Sequence, residues 1–290
     1  LSSTSNNFGN LTLSAGTLSA GAANAFGSGT TVNINGSNLD AASSVTINNP
    51  LSLSADFTFV GTNNLTQSTG AITLTNNRII TVSANNLSLG GAIGGAYALT
   101  KAGTGTLTLT GANTFSGATS VNAGTLATTG DNRLQSSSGV TVAAGATLQL
   151  GGAETLNTLS NSGTINLSGA TATLSTGDTT GSLTGTVSGS GNLTKVGTGT
   201  LTLDAASTFS YTGTTTVSAG TLAFGKNSQL GSTNAYSISG GTLNLSSFNE
   251  TTGTVTYSAG NLTSTTGILT ASAINVTATT AVSLDALIAG

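Results

Sequence analysis

The chain has 290 residues but only 5 Lys or Arg and 8 Asp or Glu, for a net charge of −3. Charged residues make up 4% of it, against roughly 25% in an ordinary soluble domain. That excludes an electrostatic footprint for nucleic acid or an anionic membrane and leaves Thr, Ser and Asn to keep the surface wet. Cys and His are absent, which removes disulfides, thiolate metal sites and imidazole chemistry.

Residues 1–98 are short alternating runs between Gly, Asn and Ser punctuation. Leu11-Thr-Leu13, Val32-Asn-Ile34, Val45-Thr-Ile47, Leu51-Ser-Leu53, Phe57-Thr-Phe59, Ile72-Thr-Leu74 and Leu87-Ser-Leu89 each place apolar residues at every second position. Period two predicts strands of three to five residues with one apolar face. The pairs Asn48-Asn49, Asn63-Asn64, Asn76-Asn77 and Asn85-Asn86 are expected at sharp corners, where Asn tolerates left-handed backbone.

Residues 99–126 read LTKAGTGTLTLTGANTFSGATSVNAGTL, and residues 193–222 repeat them as LTKVGTGTLTLDAASTFSYTGTTTVSAGTL. A partial copy, LTLSAGTL, stands at 11–18. The second copy is two residues longer in its centre, which marks a loop between strands of fixed length. Alternation continues at Val140-Thr-Val142, Leu148-Gln-Leu150, Ile165-Asn-Leu167, Ala172-Thr-Leu174 and Leu243-Asn-Leu245. Beyond residue 246 it is carried by Val255-Thr-Tyr257, Ile268-Leu269, Ile274-Asn-Val276 and Val282-Ser-Leu284. No stretch shows helical periodicity; Leu284 to Ile288 has room for one turn at most. No run of 18 apolar residues offers a helical membrane span. No cleavable leader stands at Leu1 and there is no initiator Met, so the chain reads as a mature or excised piece.

Short strands without matched hairpin turns predict an all-β, right-handed parallel β-helix, a β-solenoid that is a single unit over 1–290. Coils of about 20–25 residues give roughly 12–14 turns. Apolar side chains line the axis, Thr, Ser and Asn face out, and Gly and Asn turn the corners. Both ends are expected as open sheet edges, available for self-association.

The signature K-x-G-T-G-T-L-T-L … T-F-S … V-x-A-G-T-L resembles the autotransporter-associated β-strand repeat found in passenger domains of type V secreted proteins of Gram-negative bacteria. Lys101, Gly103, Gly105, Leu107, Leu109, Phe115, Gly117, Val121, Gly124, Thr125 and Leu126 carry it in one copy. Lys195, Gly197, Gly199, Leu201, Leu203, Phe209, Gly213, Val217, Gly220, Thr221 and Leu222 carry it in the other. The resemblance implies a right-handed parallel β-helix displayed at the cell surface or released from it.

Catalytic, metal and cofactor sites are not expected. No G-x-S-x-G elbow or calcium repeat is present, and the carboxylates Asp40, Asp56, Asp131, Glu154, Asp178, Asp204, Glu250 and Asp285 are scattered, each read as sitting in a solvated corner. Asp178 and Asp204 are 26 apart (204 − 178), near one coil length, and are the one pair for an alternative reading as a polysaccharide hydrolase or lyase. Gly103-Thr-Gly105 and Gly197-Thr-Gly199 are followed by strands, which suits corners rather than phosphate loops. Lys101 and Lys195 are expected to snorkel over the coil edge, and Phe115 and Phe209 to pack inside. Asn-Leu-Thr/Ser at Asn10, Asn64, Asn86, Asn192, Asn244 and Asn261 matches a glycosylation acceptor, and a corner Asn before a strand gives the same string. An ice-binding lattice is a third reading, from Thr-x-Thr at Thr73, Thr106, Thr108 and Thr200, whose spacing is irregular.

The leading expectation is a non-enzymatic extracellular rod, structural or adhesive, passenger-like, assembling end to end into a fibre or sheath. Its partners would be copies of itself, a host surface, a glycan or a neighbouring cell, with no nucleic acid and no membrane insertion.

Overall fold

The computed structural model describes residues 1–169, 173–176, 180–278, 283–284 and 287–289. Among them there is no helix, and the strands pair in parallel as a β-solenoid of about 12 turns. The chain divides into two compact units, Leu1–Gln149 and Leu150–Gly290.

In the first unit each turn between Val32 and Leu109 supplies three strands, one to each of three faces, and the turns after Leu109 supply two. The first face stacks Leu11–Leu13, Val32–Ile34, Leu51–Leu53, Ile72–Leu74 and Ile93–Gly94. The second includes Thr17–Ala20, Asn38–Ala41, Phe57–Phe59, Arg78–Val82, Leu99–Ala102, Thr119–Val121 and Val140–Val142. The third includes Val45–Ile47, Leu65–Gln67, Asn86–Leu89, Thr106–Leu109 and Thr125–Thr128. Paired positions lie between 19 (125 − 106) and 23 (80 − 57) residues apart. The coil is thus slightly tighter than expected.

Strict register converts sequence alternation into vertical apolar stacks. Val32, Leu51, Ile72 and Ile93 sit over one another and are all buried, as are Leu65, Leu87, Leu107 and Leu126. Each such side chain contributes about 1.5–3 kcal/mol on burial, summed turn by turn rather than in one central core.

The corners differ from expectation in one respect. Of the four Asn-Asn pairs only Asn85 takes a positive φ, 53°. The others work through their amides, which bond to adjacent turns. Asn63 Nδ2 donates to the Ala41 carbonyl at 3.1 Å, Asn49 Nδ2 to Gly27 and Thr30 carbonyls at 2.8 and 2.9 Å, and the Ala98 N–H to Asn77 Oδ1 at 3.0 Å.

The second unit repeats the three-strand turn through Ala153–Leu156, Leu159–Asn161 and Thr164–Leu167, then Asn192–Lys195, Thr200–Leu203 and Thr208–Phe209. From Tyr236 the strands outgrow the expected three to five residues. Tyr236–Asn244 has 9, Glu250–Thr263 has 14 and Ile268–Val276 has 9. Pairing there runs through the corner, with register shifts at Ser239 and Gly260 at φ 97°. Where the sequence had room for one helical turn at most, Ser283–Leu284 and Leu287–Ala289 are strands.

Candidate functional site

The repeated signature is a corner lock. Leu99 and Lys101 are both inward residues of Leu99–Ala102, so the strand's own parity carries Lys101 into the coil and not over its edge. Lys101 is fully buried. Its Nζ donates to the carbonyls of Ala102 and Gly103, both at 2.8 Å, and to that of Ala123 on the next turn at 3.1 Å. Burial lowers its pKa from 10.5 to about 8, so it stays an ammonium at neutral pH with three N–H groups and three acceptors. Gly103 turns the corner at φ 77°, and Gly124, at φ 62°, lies directly over it. A Cβ on Gly124 would stand 2.4 Å from the Gly103 oxygen and 2.5 Å from that of Gly105. The K-x-G-x-G string and the A-G-T-L string are therefore two sides of one contact between successive turns.

The second copy repeats the lock. Lys195 is also fully buried and donates to the Val196 and Gly197 carbonyls, the latter at 2.9 Å. A Cβ on Gly220 would meet the Gly197 and Gly199 oxygens at 2.4 Å and Lys195 Nζ at 2.8 Å. One aromatic is exchanged. Phe115 is buried in the first copy, whereas Phe209 is half-exposed and Tyr211 is buried in its stead. Counting back from the inward valine explains this: Phe115 precedes Val121 by six, and Tyr211 precedes Val217 by six. The two added residues thus push Phe209 off the inner stack. Its ring meets that of Tyr211 edge-on, with centroids 6.4 Å apart. Tyr211→Ala is expected to cost about 3–5 kcal/mol and Phe209→Ala under about 1.5 kcal/mol; equal losses in a denaturant titration would contradict this assignment.

Two carboxylates expected in solvated corners are buried, Glu154 and Glu250. Glu250 Oε1 accepts from the Tyr236 hydroxyl at 2.8 Å and the Leu230 N–H at 3.1 Å, and Oε2 accepts from the Gln229 N–H at 2.7 Å. Gln229 Nε2 extends the cluster to Ser207 Oγ at 2.9 Å. Burial raises the Glu250 carboxyl above its ordinary 4.5, against the pull of the three hydrogen bonds, and burial likewise raises the Tyr211 and Tyr236 phenols. The folded chain holds the Glu250 proton more tightly than the unfolded chain does. Its contribution is therefore complete below about pH 4.5 and is lost as pH rises through the raised folded value. Thermal unfolding followed across that window should show a falling midpoint in the native chain and a flatter profile in Glu250→Gln.

The remaining described carboxylates face outward. Asp40 accepts from the Thr62 N–H at 2.9 Å and the Thr62 hydroxyl at 2.8 Å. The burial that raises its pKa is outweighed by these bonds, which hold it below 3.8. Asp56 Oδ1 accepts from the Ile79 N–H at 2.8 Å, and Asp204 Oδ1 from the Ala206 N–H at 2.9 Å. Asp131 is exposed. Asp178 and Asp285 lie outside the described residues, and the Asp178–Asp204 pairing lies outside them too.

Outward residues form vertical ranks. Thr12, Asn33, Ser52 and Thr73 align on the first face, and Thr46, Thr66, Ser88 and Thr108 on the third, spaced by the strand separation of about 4.8 Å. Asn64, Asn86 and Thr106 make a neighbouring rank. The Asn86 N–H donates to Asn64 Oδ1 at 3.0 Å and Thr108 Oγ1 to Asn86 Oδ1 at 2.9 Å. Asn192 Oδ1 likewise accepts from the Thr214 N–H at 2.9 Å, and Asn244 Oδ1 from the Ser246 N–H at 2.8 Å. Asn10 immediately precedes a strand and Asn261 lies within one. Thr200 opens the strand Thr200–Leu203.

Among the described residues no group of three or more metal-ligating side chains occurs, and no helix is long and apolar enough to cross a membrane.

Residues 99–127 and 193–224 match the Passenger-associated-transport-repeat family model. The Adhesin BmaC autotransporter of Brucella suis biovar 1 (strain 1330) is 33% identical over 157 residues, 52% of this chain and 4% of the relative. This chain thus spans a small fraction of that protein's length. No solved structure matches. The two repeat matches, the adhesin relative and the parallel solenoid together fit the passenger β-helix of an autotransporter.

Proposed function

We propose that this chain is a length of extracellular adhesive scaffold, a passenger-like β-solenoid that presents neutral polar faces at the cell surface. The observation that carries the reading is the pairing of an aliphatic interior with outward Thr, Ser and Asn ranks in which almost no charge intervenes. Such a surface suits contact with uncharged, hydroxyl-bearing partners. The similarity to an adhesin supports the same role, a location outside the cell and a non-enzymatic task.

The proposal extends to a single uninterrupted coil over 1–290 and to end-to-end self-association through the terminal turns. Beads coated with the purified chain should attach to host or neighbouring cells above the level of beads coated with an unrelated protein. Equal attachment would overturn the adhesive role. Electron microscopy tests the rest: filaments of constant axial repeat support end-to-end assembly, and dispersed rods oppose it. Turnover of any glycan in a panel, abolished by Asp204→Ala, would replace the whole reading with an enzymatic one.

A further inference from the structure

The second face of the first unit carries a gap in its outward ranks. Register aligns Ile79 with Asp56, because Ile80 pairs with Phe57, and it aligns Asp56 with Gly36, because Thr58 pairs with Asn38. The neighbouring rank is Asn38, Thr58 and Thr81. Gly36 contributes no side chain and sits at φ 85°, where other residues are strained. Beside it lies a hollow of about 130 Å³ lined by Gly36, Asn38, Asp56, Phe57, Thr58 and Thr81. That is below the roughly 300–1,000 Å³ of sites that enclose a drug-sized ligand, so it suits part of one small ring and nothing larger.

The lining points to one ligand chemistry. Asp56 is exposed, and one carboxylate oxygen is oriented by the Ile79 N–H at 2.8 Å. An ionised carboxylate is an acceptor at both oxygens, while Asn38, Thr58 and Thr81 both donate and accept. Ile79, 41% exposed, neighbours Asp56 outside this lining, and Phe57 is the buried residue at the floor. Groups that both donate and accept, set beside one strong acceptor, match the hydroxyls of a sugar ring. An anion would be repelled by Asp56, and a divalent cation would need several oxygen ligands, where this hollow has one carboxylate.

We propose that this hollow is a subsite for a neutral sugar ring, presented on the adhesive scaffold. The inference rests on the adhesive reading and names its ligand class and position. Methyl glycosides of glucose, galactose and mannose, titrated into the full chain and followed by saturation-transfer NMR, should include at least one that binds with a roughly millimolar Kd. Asp56→Asn keeps the acceptor for Ile79 but removes the charge, and Thr58→Val keeps the shape but removes the hydroxyl. Each should weaken that binding roughly tenfold with an unchanged melting midpoint, and added salt should leave native binding unaltered.

Absence of transfer to all three glycosides, or equal binding in both variants, would overturn the subsite. So would salt-sensitive binding of lysine methyl ester in place of sugar, which makes the hollow an ammonium site. If beads coated with Asp56→Asn attach to cells as the native chain does, the subsite fails while the adhesive scaffold stands. Native beads that never attach remove the scaffold reading itself.

Discussion

Lys101→Met is expected to destabilise the first unit by about 3 kcal/mol. The substitution keeps a chain of similar length inside the coil but removes the donor shared by the Ala102, Gly103 and Ala123 carbonyls. Each buried acceptor left without a partner costs about 1–3 kcal/mol, and the methionine's apolar fit offsets part of that. Lys195→Met should act in the same direction in the second unit, since its Nζ meets the Val196 and Gly197 carbonyls. Thr100→Val, an outward change in the same strand as Lys101, should stay within about 0.5 kcal/mol. Because solenoid turns unfold with limited cooperativity, hydrogen exchange at residues 102–106 and 122–126 is the sharper measurement. Protection in Lys101→Met equal to the native value would remove the corner lock.

Gly124→Ala should be at least as damaging, about 3 kcal/mol or more, although it adds one methyl. Two separate penalties coincide there. The backbone sits at φ 62°, where a side chain costs about 1–2 kcal/mol. The methyl would also lie 2.4 Å from one carbonyl oxygen and 2.5 Å from another, and backbone cannot yield as a side chain does. Gly220→Ala repeats the test against the Gly197 and Gly199 oxygens. Gly145 provides the contrast: its φ is 79° but nothing lies within 4 Å of a Cβ there, so Gly145→Ala should show the conformational cost alone. A denaturant titration of the three variants separates strain from collision, and similar losses at Gly124 and Gly145 would deny the collision.

Alternation in runs such as Leu51-Ser-Leu53 and Phe57-Thr-Phe59 carries most of the fold, because period two and parallel register together leave little freedom. Lys101 was legible by the same parity, since it stands two after the inward Leu99. The preference of a lysine for water suggests the opposite face, and three carbonyls at a corner cannot be seen in a string. Glu250 was hidden differently. Gly253 interrupts the alternation between Thr252 and Val255, so the inward phase of Glu250 does not follow from Val255-Thr-Tyr257. Phe209 was misplaced because the shared T-F-S string aligns it with Phe115, while spacing to the following valine selects Tyr211. The hollow beside Asp56 depends on which residue lies above which, and that is fixed by turn lengths varying between 19 (125 − 106) and 23 (80 − 57). The sequence of one turn does not contain them.

Four of the few ionic groups, Lys101, Lys195, Glu154 and Glu250, are shut away from solvent. What brine or fresh water meets is mostly hydroxyl and amide, whose hydration responds little to dissolved ions. The adhesion proposed above should therefore change little between low and high ionic strength.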